Sequence, residues 1–210
     1  MARLPGLRRR RSPALTMATV DDAAAAVRDR KLVVYPTETV YGLGADALDA
    51  AAVERVFDAK GRERDKPVSL AVPDIESARE YTRLSDRELA FMREFLPGPV
   101  TVVVERRDVV PDVLVAGQDR VGVRVPDHDL ALELLAETGP LTATSANISG
   151  NPSVRTVDDL DAIRERAAVV LDAGETDGGT GSTVVNVDSG TIHRRGARAD
   201  AVKSWLNDRS

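Results

Sequence analysis

Apolar residues along the chain switch between helical and strand spacing, and the switches predict interleaved helices and strands. TVDDAAAAVRDRK, residues 19–31, opens with Thr19 ahead of two acids and an alanine run, predicting an N-capped helix that ends near Lys31. LVVYPT then reads as a short buried strand stopped by Pro36. In DAAAVERVFDAKGR, Val53, Val56 and Phe57 mark one helical face and Gly61 supplies a C-terminal stop. PVSLAV gives a second strand, and helices around DIESAREY and SDRELAFMREFL run up to Pro97-Gly98-Pro99.

VTVVVER and RVGVRVP are a third and a fourth strand, and DLALELLAETG is a helix with a leucine face. LTATSANI reads as a strand running into a loop, and TVDDLDAIRERA as another capped helix. AVVLDAG, STVVNVDSG and TIHRRG are strand-like pieces joined by tight turns, and DAVKSWLND closes as a helix. Interleaving of this kind, with consecutive strands at both ends, predicts one α/β domain with a mixed sheet over residues 17–210.

Composition narrows the chemistry. Only 3% of the 210 residues are aromatic, so base-stacking platforms are scarce. Cysteine is absent and the two histidines are His128 and His193, which excludes disulfides and thiolate metal sites and disfavours zinc. Net charge is −5, yet residues 1–16 carry five arginines and no acid, leaving 24 basic against 34 acidic residues in the remainder, or −10. An acidic body disfavours a non-specific nucleic-acid clamp. The first 16 residues read as a disordered basic extension, or as an over-long start with Met17 as the natural beginning. No apolar run reaches the roughly 20 residues of a spanning helix, so a soluble cytoplasmic protein without membrane contact is expected.

Five polar constellations fall at strand ends or in loops, where α/β sheets hold ligands. PTETVYGLG sets two hydroxyls (Thr37, Thr39) and a carboxylate beside glycines, as a turn or as one wall of a cleft. KGRERDKP brings Lys60, Arg62, Arg64 and Lys66 together after a helix end, as dipole partners or as an anion trap for a polyphosphate. Arg120 and Arg124 in RVGVRVPDH share a strand face and need an anionic partner, internal or bound. TATSANISGNPS carries Thr142, Thr144, Ser145, Asn147, Ser149 and Ser153 without an adjacent base to activate a nucleophile, and so reads as a polar turn or a ligand cradle. GSTVVNV with HRRGA adds Ser182, Thr183, Arg194 and Arg195. Together they offer many phosphate and carboxylate partners and no metal cage, which suits nucleotidyl transfer by positioning and charge stabilisation.

PTETVYGLG, KGR…KP, PGPVT, VGVRVPDH, TSANISG and STVV…RRGA, in this order, resemble the threonylcarbamoyl-AMP synthase family of the YrdC-like fold, from about Ala18 to Ala197. The resemblance implies a twisted open mixed α/β sheet with a large, positively lined concave cavity. It implies synthesis of threonylcarbamoyl-adenylate and pyrophosphate from L-threonine, bicarbonate or CO₂, and ATP, with Mg²⁺ held mainly by the phosphates. The product would serve threonylcarbamoyl modification of tRNA through a separate transferase complex.

Carried over by motif, Thr39, Arg124, Ser182 and the backbone at Ala143 would hold threonine, with Thr37 as the alternative hydroxyl. Arg62, Lys66, Ser145, Asn147, Ser153 and Arg194 would surround ATP, and Lys60 with Arg62 forms the family's catalytic Lys-x-Arg pair. No protein-held metal is expected. Three positions depart from the pattern: Ala71 stands where many members have histidine, Arg120 where a small hydroxyl residue is common, and Arg195 where proline is usual. The chain resembles the short, single-domain form. Two other readings stay open: a tRNA- or rRNA-binding module of the same fold, and a carbamoyl-adenylate-forming domain related to hydrogenase maturation.

Overall fold

The computed structural model describes residues 18–208; the expected basic extension lies outside the described residues. Eight α-helices and ten strands follow one another along them: α1 Val20–Arg28, β1 Val33–Tyr35, β2 Gly42–Gly44, α2 Ala50–Lys60, β3 Ser69–Ala71, α3 Ile75–Tyr81, β4 Thr82–Arg83, α4 Asp86–Phe95, β5 Val100–Arg106, α5 Asp112–Val115, β6 Arg120–Arg124, α6 Asp129–Thr138, β7 Leu141–Ala143, α7 Asp161–Arg166, β8 Val169–Val170, β9 Thr183–Asn186, β10 Thr191–Arg194 and α8 Ala199–Asp208.

Local chemistry sets the helix ends. Thr19 and Asp22 form a capping box at the start of α1, and Ser85 with Glu88 does the same for α4. Asp49 accepts from the amides of Ala51 and Ala52 at the start of α2, and Gly61 ends that helix at φ 57°, a left-handed turn that favours glycine. The single helix expected over 156–167 is broken: a 3₁₀ turn covers Val157–Asp159, and α7 begins at Asp161 with φ 45°. Thr156 does not cap it, because its hydroxyl donates to Asp159 instead.

Strand pairing is mixed, as the pattern predicts, but it is divided between two sheets. The larger runs β10-β9-β5-β6-β3-β7, with β4 beside β5; the smaller is β2-β1-β8. In the larger sheet β5 pairs antiparallel with β6 and parallel with β9, and β3 pairs parallel with β6. Bridges from Gly42 to Ser145 and from Asp46 to Leu141 sew the two sheets together.

The period-two alternation of β5 gives the large sheet two different faces. Val100, Val102 and Val104 are fully buried in a core shared with Phe91, Phe95 and Trp205 of α4 and α8. Thr101 and Val103 point the other way, with Gly122 and Arg124 of β6, to floor a cavity. A Cβ on Gly122 would come 2.4 Å from Ser69 Oγ and 2.9 Å from Thr101 Cγ2, so a side chain there would crowd the floor. The small sheet supplies a wall of the cavity through Tyr35 and Gly42. Gly42 and Gly44 are therefore strand residues rather than turn residues. The Tyr35 ring lies across them, and a Cβ would approach it to 2.8 Å and 2.9 Å.

Candidate active site

The cavity encloses about 870 Å³ on the seam between the two sheets. Its lining includes Thr37, Lys60, Arg62, Lys66, Arg124, Ala143, Ser145, Asn147, Ser153, Ser182 and Arg194, drawn from segments spread across the chain. Thr39, buried at 2% exposure, is not among the lining residues. It stands one step back in a hydrogen-bonded chain. Arg124 Nη2 donates to Thr39 Oγ1 at 2.8 Å, the two threonine hydroxyls lie 3.0 Å apart, and Thr37 donates to the Val40 carbonyl at 2.7 Å. Since the Thr37 proton is committed to Val40, Thr39 is the donor between them.

Of the four arginines that line the cavity, Arg62, Arg124 and Arg194 lie close enough for their charges to act on one another, and Arg120 is the fourth. Arg62 donates to the carbonyls of Lys66 and Pro67, each at 2.9 Å. Arg194 donates from Nε and Nη2 to the Ser182 carbonyl and hydroxyl, each at 3.0 Å, and that hydroxyl sits 2.8 Å from Thr101 Oγ1. Burial pushes both arginines below their ordinary pKa, and the charges of Arg124 and Arg62 push Arg194 further. Such mutual repulsion makes the cavity receptive to anions.

Lys60 is 2% exposed, and its Nζ donates to the carbonyls of Ser145 and Asn147. The helix that delivers Lys60 is thereby clamped to the loop that follows β7. Desolvation, helped by nearby Arg62, pulls the Lys60 pKa down to about 8. Asn147 donates from Nδ2 to the carbonyls of Ile148 and Asn151 while its Oδ1 is buried without a partner. The cluster of four cations expected in KGRERDKP is split. Arg64 turns away to Glu54 and Asp58, and Lys66 pairs with Glu63 at the surface.

Of the three departures, Ala71 and Arg120 line the cavity and Arg195 does not, pairing instead with Asp200. Ala71 lies in register with Arg124 on the neighbouring strand. Arg120 Nη2 donates to Glu88 at 3.1 Å, a carboxylate 2% exposed whose pKa is raised chiefly by burial. Sequence reasoning passed over Tyr35 and Ser69 as cavity residues. Tyr35 hid in an apolar run, though its hydroxyl donates to the Thr142 carbonyl and burial lifts its pKa to about 12. The alternation in PVSLAV would have turned Ser69 and Ala71 to one face.

Among the described residues, no group of three His, Cys, Asp or Glu side chains could hold a metal. Asp65 is, among the described residues, the one carboxylate in the lining. No serine or threonine hydroxyl of the cavity among the described residues bonds to a histidine, lysine or carboxylate, and the one carboxylate-bonded hydroxyl in the lining is the Tyr41 phenol, 3.3 Å from Asp172. The site thus has the parts to bind and neutralise anions rather than to activate a serine or threonine nucleophile. No helix among the described residues is long and apolar enough to cross a membrane.

Comparison with known proteins places these features in a lineage. The Sua5/YciO/YrdC family model, described as "Telomere recombination", matches residues 25–196. A threonylcarbamoyl-AMP synthase of Pyrococcus abyssi is 41% identical over 168 residues, 79% of this chain and 49% of that protein. One of Escherichia coli O1:K1 / APEC is 38% identical over 186 residues, 84% of this chain and 96% of that protein. The crystal structure of P. abyssi Sua5 complexed with L-threonine superposes with a TM-score of 0.79 at 38% identity, covering 84% of this chain and 54% of that one. The chain thus spans about half the length of the P. abyssi protein and nearly all of the E. coli one. With its family model matched across the whole cavity-forming region, the chain belongs to the Sua5/YciO/YrdC family.

Proposed function

We propose that this chain makes threonylcarbamoyl-adenylate from L-threonine, bicarbonate or CO₂, and ATP. The observation that carries the reading is the convergence of Arg62, Arg124 and Arg194 on one cavity that also holds Thr37 and Ser182. One site then has partners for both a triphosphate and an amino-acid carboxylate. Relatives named threonylcarbamoyl-AMP synthase and a family structure with L-threonine bound support it.

L-Threonine would sit at the end formed by Arg124, Thr37, Ala143 and Ser182, with Thr39 acting through Arg124 and Thr37. ATP would lie along Arg62, Lys66, Ser145, Asn147, Ser153 and Arg194. The threonine amine adds to CO₂ and loses a proton, giving a carbamate. A carbamate oxygen attacks the α-phosphorus of ATP, an O–P bond forms, and the bond to the β-phosphate oxygen breaks to release pyrophosphate. Arg62 and Arg194 offset the charge that grows on the phosphate oxygens. Lys60 adds positive charge while fixing the Ser145–Asn147 loop.

One lining carboxylate, Asp65, is too few for a protein cage around Mg²⁺, so the ion would arrive with ATP on its phosphates. The product would pass to a tRNA-modifying transferase, in the cytoplasm. Incubation with ATP, L-threonine and bicarbonate, followed by pyrophosphate assay and mass spectrometry, tests the reading. Pyrophosphate and a threonylcarbamoyl-adenylate mass that require all three substrates are expected. Tight RNA binding without turnover would overturn it.

A further inference from the structure

Glu38 lies behind the arginine cluster, and the chemistry above gives it no task. One of its carboxylate oxygens accepts from Arg124 Nη2 at 2.8 Å and the other from the backbone N–H of Asp127 at 3.2 Å. The pair is well shielded, with side chains 11% exposed at Arg124 and 17% at Glu38. Arg62 and Arg194 bond to carbonyls and a hydroxyl. Among the described residues, Glu38 is the one carboxylate in an ion pair with Arg62, Arg124 or Arg194.

A carboxylate on an arginine that is to receive a ligand's carboxylate can be a latch that leaves or an anchor that stays. Geometry separates the two. Arg124 lines the cavity and Glu38 does not, so an entering ligand meets the guanidinium without displacing Glu38. The second oxygen of Glu38 is tied to Asp127, directly after Pro126 with its fixed φ. From the other side, Gly178 packs so tightly that a Cβ there would lie 2.8 Å from the Glu38 carbonyl oxygen. Glu38 is held at its backbone and at both carboxylate oxygens. Arg124 Nε is buried without a partner, so the guanidinium keeps donor capacity after Nη2 has served Glu38 and Thr39.

We propose that Glu38 is a positioning residue that fixes the Arg124 guanidinium at the cavity wall and thereby sets the affinity for the carboxylate of the amino-acid substrate. The inference rests on the reading of this cavity as the threonylcarbamoyl-adenylate site. Without the anchor, Arg124 would face Arg62 and Arg194 with no opposing charge and would lose a fixed direction.

Glu38→Gln and Glu38→Asp test it in the full chain. Glutamine keeps the size but has a single acceptor, so it can serve Arg124 or Asp127 and presents an N–H to the other donor. Calorimetric binding of L-threonine and the KM values for threonine and ATP in pyrophosphate release are the readouts. In Glu38→Gln the threonine Kd and KM rise about tenfold or more. The ATP KM stays within about twofold, and Glu38→Asp recovers part of the loss. Unchanged threonine affinity in Glu38→Gln, or an equal rise in both KM values, overturns the positioning role. A wild-type chain that binds no threonine overturns the reading of the cavity, and the role with it.

Discussion

Lys60 Nζ donates to the backbone carbonyl of Asn147 at 2.7 Å, joining the end of α2 to a loop 87 residues away. A buried cation held by neutral carbonyls has a pH signature. Its pKa is about 8 in the folded chain against 10.5 as the ordinary value, so the unfolded chain binds the proton more strongly between those limits. Folded-state stability therefore rises with pH above about 8, by on the order of 3 kcal/mol if the window is crossed in full. Above pH 10 Tyr35 opposes the rise, since burial keeps its phenol protonated up to about 12 while the unfolded chain releases the proton. Urea unfolding at stepped pH should show the rise in wild type and its absence in Lys60→Met.

Arg62 is the cation whose loss should be felt most in turnover. Arg62→Ala should lower kcat/KM for threonine-dependent pyrophosphate release by about a hundredfold, the scale of one missing charge-stabilising donor. Arg62→Lys keeps charge but cannot span the Lys66 and Pro67 carbonyls as a fork, and should recover only part. Steady-state assays on both variants decide it; near-normal turnover in Arg62→Ala would sink the proposed chemistry.

Arg120 and Glu88 should behave as a coupled pair. Arg120→Ala leaves a carboxylate that is 2% exposed without its guanidinium, at a cost of about 2 kcal/mol, reduced from the fully buried case because Arg120 itself is 35% exposed. Adding Glu88→Gln removes the stranded charge while keeping an acceptor for the Ser85 amide, and should restore more than half of the loss. A double-mutant cycle by chemical denaturation that finds the two changes additive would contradict the coupling.

Gly178 presses the 174–181 segment onto the backbone of Glu38 and Thr39. A Cβ would come within 2.6 Å of Thr39 Cα and Thr39 O, and backbone atoms cannot swing aside as a side chain can. Thr176 fastens the same segment, donating to the Thr39 carbonyl at 3.1 Å. Gly178→Ala should lower stability by about 1–3 kcal/mol. It should also weaken threonine binding, as Glu38 and Thr39 shift beneath it. Thermal melts and calorimetry check both, and a neutral outcome in each would mean that the segment lifts away freely.

Much of this was readable from residue order. Caps at Thr19 and Ser85, the stop at Gly61 and the alternation in VTVVVER each depend on neighbours within a few positions, so local patterns reveal them. What local patterns cannot supply is the partner. The joining of the two sheets depends on bridges between residues about 100 apart, such as Gly42 with Ser145. The choice of Thr37 over Thr39 for the cavity wall depends on where Arg124 lands, 85 residues downstream of Thr39. Arg64 looked like a member of the anion trap because sequence spacing cannot show that Glu54 and Asp58 claim it first. Two-residue β4 and four-residue α5 are too short for any periodicity to register.

Of Arg62, Arg124 and Arg194 at the cavity, only Arg124 among the described residues is ion-paired, while Arg62 and Arg194 hydrogen-bond to carbonyls and a hydroxyl. Their positive charge is open to an anion that enters the cavity. Anion binding there would link folding to occupancy through mass action, and a melting temperature that rises with phosphate or sulfate in the buffer is the expected outcome. Salt composition would then act on this protein as a ligand concentration.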